Sequence, residues 1–303
     1  MSTAPPRRDL TGYGLVAGCF ILVGLSGALV SWADAPSTIL AFLRMTVAAA
    51  ALVVVFWRRR PLAVFRRRGL WSRILVIGPL DAGTLLCYFL AIRLTGVAVA
   101  TFLLFMQPVW VAILAPRLLG ARTEKLVYLS LGVAVAGLGV IILPALLGSG
   151  VSLSVAGVAV GLLSGWLYAF FQLLVKNLTE ELESTTIVTV EVTMDAIVLL
   201  PLALWQVAAT GVSLTSHDLV ATLILGLVCT AVAYTIWVEG VGRVPVQHSA
   251  ILGFLTPVLA PLFAWVLLGE GMTLATAIGG ALVLTAGVLV VVFGTVEEEL
   301  EPL

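Results

Sequence analysis

The sequence predicts an all-α integral membrane protein, with ten transmembrane helices in two five-helix inverted repeats around a central cavity. Three observations carry this prediction. Hydrophobic residues make up 61% of the 303 positions and charged residues 11%, against about 25% charged in a soluble domain. With a mean hydropathy of +1.17, no soluble fold of this length hides so much apolar surface. Ten apolar runs each approach the ~20 residues that a spanning helix needs. Residues 102–120 (FLLFMQPVWVAILAPRLLG) and 251–269 (ILGFLTPVLAPLFAWVLLG) agree at 8 of 19 positions at a constant offset of 149.

The runs follow one another with short connections. The first, 12–32, comes after Arg7-Arg8 and ends at Trp32. Ala33-Asp34-Ala35 mimics a signal cleavage site, but the apolar run exceeds the roughly 7–15 residues of a signal core. Pro36 also follows the would-be cut, so a retained helix is expected. The second run, 36–57, holds Arg44 and ends at Trp57; the third, 70–92, opens near Trp71 and holds Asp81. The fourth, 97–117, contains the first copy of the duplicated segment, and the fifth, 125–143, contains Gly132 and Gly139. The sixth, 152–175, carries Gly157, Gly161 and Gly165 at four-residue spacing, as Gly14 and Gly18 do in the first. Small residues so spaced let helix backbones touch. The seventh, 185–208, holds Glu191 and Asp195 and ends near Trp205; the eighth, 218–238, ends at Trp237. The ninth, 246–268, contains the second copy, and the tenth, 272–294, holds Gly280 and Gly287. The tryptophans at span ends fit the interfacial preference of amphipathic rings. Two domains are expected, 12–143 and 152–294.

Lys and Arg set the orientation. With the N-terminus in the cytoplasm, 14 of the 16 basic residues fall on that side: Arg7, Arg8, Arg58, Arg59, Arg60, Arg66, Arg67, Arg68, Arg73, Arg117, Arg122, Lys125, Lys176 and Arg243. Arg93 alone falls opposite, and Arg44 lies inside a span. The positive-inside rule therefore predicts N-in and C-in. The arginines of 58–68 read as topology determinants rather than a nucleic-acid patch. Glu297–Glu301 reads as a solvated end. Cys19, Cys87 and Cys229 all sit in apolar spans and read as packing residues, not as disulfides or metal ligands.

The duplicated segments lie five helices apart, and an odd number inverts topology. One copy therefore runs outward-to-inward and the other inward-to-outward, as in the inverted repeats of transporters. Gly132 and Gly139 share a spacing of seven with Gly280 and Gly287. Pro108 and Pro257 stand at matched mid-span positions, where proline removes a backbone donor and crowds the carbonyl four residues earlier, at Leu104 and Gly253. Each is read either as a hinge or as a static kink satisfied by its neighbours.

These features resemble the drug/metabolite transporter superfamily, and specifically its ten-helix EamA-type branch. The resemblance spans about 12–294. It rests on the two five-helix halves, on Pro257 spaced to Gly269-Glu270, on Gly280 spaced to Gly287-Val288, and on Ala41-Phe42-Leu43-Arg44 in span two. The first half departs, since Gly120 is followed by Ala121 rather than Glu. The small four-helix relatives carry a coupling glutamate in their first helix, whereas span one here has no acidic residue. The resemblance implies a multi-pass protein of a bacterial-type inner membrane that exports or imports small organic molecules through a central cavity. It points to exporters of aromatic or other neutral amino acids or related metabolites, with a multidrug or other-metabolite permease as the alternative.

Charged side chains in hydrocarbon cost roughly 2.5–3.5 kcal/mol on insertion scales and so point inward. Arg44, Asp81, Glu191 and Asp195 qualify. Glu191 and Asp195 are four apart and share a helix face; two close carboxylates rarely both ionise in low dielectric. They are read, with Arg44, as a proton-coupling or ion-pair group; alternatively span seven starts later and Glu191 is interfacial, or one acid neutralises Arg44. A zwitterionic substrate needs a cation, polar partners and apolar walls. Gln107 and Thr256, each beside a repeat proline, are the favoured contacts, with Tyr88, Trp110, Trp166, Tyr234 and Asp81 as further candidates. A polar residue beside proline nearly equally suits the freed backbone, and a lone aromatic such as Trp166 is more often simple packing. No metalloprotease, nucleophile-elbow or P-loop motif is present, and His217 and His248 are the two histidines. The reading is therefore not an enzyme, with no cofactor, no metal and no nucleic acid. Its partners are a small-molecule substrate and the lipid bilayer, and it is expected to be a monomer.

Overall fold

The computed structural model of the protein describes residues 9–59, 70–95, 97–120, 124–148, 154–269 and 273–294. Arg7, Arg8, Arg60, Arg66, Arg67, Arg68, Ala121, Arg122, Glu270 and Glu297–Glu301 lie outside the described residues. Among the described residues there are ten helical segments long and apolar enough to cross a membrane, with no strand. Seven are single helices, the first five being α1 (Leu10–Trp32), α2 (Ser37–Val55), α3 (Trp71–Thr95) and, past the fourth span, α6 (Lys125–Gly148) and α7 (Val155–Leu178). The fourth span is split into α4 (Val97–Leu104) and α5 (Gln107–Leu118). The second half adds α8 (Ser184–Thr210), the split pairs α9 (Ser216–Gly226) with α10 (Ala233–Val241) and α11 (Val246–Leu252) with α12 (Leu255–Leu268), and finally α13 (Leu274–Phe293). The ten expected spans agree with these to within three residues at every end but one, α6 running five residues past the expected 143.

Helix ends follow local chemistry. Asp9 caps α1 by accepting from Gly12 N at 3.1 Å, and Ser154 caps α7 through Gly157 N at 3.3 Å. Thr215 and Asp218 form a capping box at the start of α9. Gly120 and Gly269, the last matched pair of the duplication, both adopt left-handed φ, 65° and 70°. That conformation ends spans four and nine alike, and it accounts for glycine at both positions.

The packing pairs α6 with α13, α2 with α8, α3 with α7, and α1 with both α10 and α12. Glycines set the closest approaches. A Cβ on Gly137 would meet the Gly279 carbonyl at 2.7 Å, so α6 and α13 cross there backbone to backbone. The α7 ladder behaves as its spacing predicts: Gly157 abuts Leu94 and Thr95, Gly161 abuts Leu103, and Gly165 abuts the carbonyls of Leu103 and Leu104. The Gly14/Gly18 spacing does not mark a seam. Gly14 has no atom within 4 Å of its would-be Cβ, and α1 instead closes on its partners at Gly12 and Gly24. Large apolar side chains such as Trp205, Leu204, Val266 and Phe293 are exposed on the outside of the bundle, the surface that lipid covers.

Candidate functional site

The two duplicated segments break where their prolines stand. In span four the i→i−4 ladder holds to Phe105, whose N donates to Thr101 O at 3.0 Å, and lapses at Met106, where tighter bonds replace it: Met106 N to Leu103 O at 3.2 Å and Val109 N to Met106 O at 2.9 Å. In span nine Gly253 N is shared between Ser249 O and Ala250 O, and the ladder lapses at Phe254, with Phe254 N to Ile251 O and Thr256 N to Gly253 O, both at 3.1 Å. The dihedrals stay right-handed, so these are one-turn tightenings rather than unwound loops. Pro108 and Pro257 sit in the first turn of the following half-helix, where a missing N–H leaves no bond unmade.

The breaks touch one another through Gln107. Its side chain is 1% exposed, and its Nε2 lies 3.6 Å from where a Cβ of Gly253 would be. Together the breaks form one wall of a cavity of about 190 Å³, to which Gln107, Thr256 and Gly253 all contribute. Facing them are Tyr88 and Thr84 of α3, Phe20 of α1 and Phe105 of the first break. The Tyr88 hydroxyl pairs with Thr101 Oγ1 at 2.9 Å, tying α3 to α4. Tyr168 and Phe171 of α7 and Trp237 of α10 close the cavity, with Phe171 and Trp237 stacked at a 5.9 Å centroid separation.

The charged residues gather at this cavity. α3 and α8 are pressed together at Gly78, whose missing Cβ leaves room for Met194. One turn along α3 stands Asp81, and next to Met194 stands Asp195, so the crossing brings the two carboxyls face to face. Ligand oxygens of Asp81, Glu191 and Asp195 all lie within 4.8 Å of one another. Glu191 and Asp195 are each 1% exposed, and no N–H or hydroxyl donor reaches any of their four carboxylate oxygens. Arg44 lines the same cavity but is bonded elsewhere: its Nη2 donates to the Tyr234 hydroxyl at 3.1 Å, and no ion pair joins it to the three acids. Arg44 thus makes no direct ion pair with the acids and acts on Asp81 and Asp195 through charge across the cavity.

A π-helical turn, Leu227–Val232, explains how Tyr234 reaches Arg44. Gly226 packs its backbone against Val47 and the Arg44 carbonyl, and the Thr230 hydroxyl then donates to Leu225 O at 2.8 Å across the widened turn. The extra residue rotates α10 relative to α9 and swings Tyr234 toward α2. Nothing in the span's apolar pattern signals this bulge.

The structure therefore brings Arg44, Asp81, Tyr88, Gln107, Glu191, Tyr234 and Thr256 to one cavity, with Asp195 in contact with the acids. It does not bring Trp110 and Trp166 there. Trp110 packs against the Val111–Ala115–Leu173 cluster, and Trp166 is 37% exposed and stacks on Phe170 at 5.6 Å on the outer surface of α7. Trp237, expected in the interfacial belt, is 4% exposed and lines the cavity. Tyr168 and Phe171 join it there, at four- and three-residue helical spacing from other buried α7 residues. That stripe was the signal available for finding them.

The cavity is sealed toward the end of the bundle where α1 begins. Lys176, 4% exposed, donates through Nζ to the carbonyls of Val241 and Val244 at 3.0 and 2.8 Å. The Tyr13 hydroxyl pairs with His248 Nδ1 at 2.5 Å, and Gly240 lies against the Gly12 carbonyl. All seven residues of α11 are buried. In α4, the matched half-helix, Thr101, Phe102 and Leu104 remain partly exposed.

A ten-helix bundle with broken helices meeting at a charged internal cavity defines a membrane transporter. The chain belongs to the EamA-like transporter family, which matches residues 10–143 and again 155–293. It is similar to a Bacillus subtilis (strain 168) protein described as "Uncharacterized transporter YwfM", 28% identical over 290 residues, covering 92% of this chain and 94% of that one. An Archaeoglobus fulgidus "Uncharacterized transporter" is 32% identical over 207 residues, covering 68% and 71%. Among solved structures, one protein crystal structure has the same fold, with a TM-score of 0.76 at 18% identity over 93% of this chain and 96% of that one.

Proposed function

We propose that the protein is a secondary transporter that exports amino acids, aromatic or neutral, or related small metabolites by alternating access. The observation that carries this reading is the single cavity in which both repeat breaks, Gln107 and Thr256, meet the Arg44–Tyr234 pair and the acids Asp81 and Glu191, with Asp195 against them. In this reading residues 12–143 and 152–294 are inverted repeats, and the pairing of α6 with α13 and α2 with α8 across the bundle supports it. Pro108 and Pro257 are the hinges. Arg44, Glu191 and Asp195 couple substrate movement to a proton gradient. The Lys/Arg distribution supports a cytoplasmic N-terminus and C-terminus in a bacterial-type inner membrane.

The test is flux from proteoliposomes preloaded with labelled amino acids, with and without a pH gradient. Efflux faster than from protein-free vesicles and dependent on the gradient is expected; no flux of any amino acid overturns the reading. Gln107→Ala and Thr256→Ala should each slow flux about tenfold, the loss of one buried hydrogen-bonding contact of ~1.5 kcal/mol. Unchanged kinetics in both remove them from the site.

Alternating access also makes a labelling prediction. Ser249 of α11 is fully buried at the sealed end, and its hydroxyl has no partner, an unmade bond that water satisfies when that end opens. In a background with Cys19, Cys87 and Cys229 replaced, Ser249→Cys should react slowly with a membrane-impermeant maleimide at rest and faster during transport. Equal rates in the two conditions argue against opening along this seam.

A further inference from the structure

We infer that the substrate is recognised through a protonated amino group, seated among Asp81, Glu191 and Asp195 with the Gln107 carbonyl as a further acceptor. The inference takes the cavity to be the substrate site proposed above and names the chemistry it selects.

Unmet hydrogen-bonding capacity decides the class. Five buried acceptor atoms in the site lack an N–H or hydroxyl donor: both carboxylate oxygens of Glu191, both of Asp195, which meets only the Asp81 carboxyl, and Oε1 of Gln107. Gln107 stands on α5, apart from the acids on α3 and α8, and is 1% exposed. Against these five acceptors, two buried side-chain donors at the cavity are free, Arg44 Nε and Trp237 Nε1. A ligand that fits such a site brings donors, and an ammonium group brings three with a positive charge. Charge points the same way. Three carboxylates face one guanidinium, which is itself turned to the Tyr234 hydroxyl. A zwitterion leaves that imbalance unchanged, whereas an amine reduces it by one. The walls fit a cation as well, since Phe20, Phe105, Tyr168, Phe171, Tyr234 and Trp237 line the cavity and aromatic faces attract organic cations.

The experiment is equilibrium binding to the purified full chain in detergent, which needs no translocation and so is read independently of flux. Its probes are 2-phenylethylamine, phenylalanine, N-acetylphenylalanine, and sodium or calcium chloride alone. Binding of 2-phenylethylamine at least as tight as phenylalanine, with N-acetylphenylalanine about tenfold weaker or more, is expected from the loss of charge-assisted hydrogen bonds. Glu191→Gln and Asp195→Asn, near-isosteric changes, should each weaken the amine about tenfold. The inference is overturned if N-acetylphenylalanine binds as well as the amine. It is also overturned if both carboxamide variants bind the amine normally, or if sodium or calcium binds and displaces it, which makes the acids an inorganic-cation site. Amine binding with the expected pattern but no flux sinks the transport reading and leaves the recognition chemistry standing.

Discussion

Replacing Asp195 by asparagine should abolish the response of transport to a pH gradient. One carboxylate oxygen from each of Asp195, Asp81 and Glu191 lies within 4.8 Å of the others, with Asp195 and Glu191 buried and Asp81 half-buried. Two like charges at that distance repel by about 3.5 kcal/mol at an effective dielectric of ~20, more than a hundredfold in an equilibrium constant. A proton or a cation on the trio relieves that repulsion, which ties occupancy to proton supply. Asparagine removes one charge at almost unchanged volume, so the remaining two acids no longer need the extra proton. Gradient-driven efflux from proteoliposomes should fall at least tenfold in Asp195→Asn. The variant should stay monodisperse on gel filtration, because Asp195 makes no hydrogen bond to an N–H or hydroxyl whose loss would unfold the helix pair. Wild-type gradient dependence in Asp195→Asn, Glu191→Gln and Asp81→Asn alike would sink the coupling role.

The second large effect is expected at Gly165. A Cβ there would lie 2.8 Å from the Leu103 carbonyl and 3.1 Å from that of Leu104, against the backbone of the first break. Backbone has no rotamer to yield with, so Gly165→Ala must push α7 off span four. Overpacking of this kind costs ~1–3 kcal/mol, and here it also moves Gln107, whose amide N lies 3.5 Å from the same point. A lowered thermal midpoint together with slowed flux is expected. Gly132→Ala is the matched control, since a Cβ at Gly132 meets nothing within 4 Å. If Gly165→Ala melts with Gly132→Ala and transports normally, the break is not held by this contact.

Particular residues show what kind of information the sequence carries. The ten spans were readable because hydropathy over ~20 residues is a local property, tested against a bilayer of fixed thickness. The duplication located both breaks, because Pro108 and Pro257 mark matched points. Proline alone was not sufficient evidence: Pro79, Pro116, Pro144, Pro201 and Pro261 lie inside helices that continue through them. The difference at the breaks is tertiary, with Gly165 pressing on one and Gln107 packed against the other. Which of Trp166 and Trp237 faces the cavity is tertiary for the same reason. Depth in the membrane is legible from position along a span, but the direction a ring faces depends on helix rotation, which a nearly uniformly apolar helix does not record. The polar clues Gln107, Thr256, Asp81, Tyr88 and Tyr234 were better guides, because polar groups in hydrocarbon are forced inward whatever the rotation.

By itself, then, the sequence determined that this is a ten-span membrane protein of two related halves, and which ionisable side chains must face its interior. Both follow from the cost of exposing backbone or charge to lipid, a cost that each segment bears alone. The tertiary structure decided that Asp81, Glu191 and Asp195 meet, that Arg44 turns to Tyr234 instead, and that Trp237 rather than Trp166 lines the cavity. Those outcomes depend on helices approaching at Gly78 and Gly226 and on a π turn at Leu227–Val232. Such contacts are between residues far apart in the chain, and no local pattern encodes them.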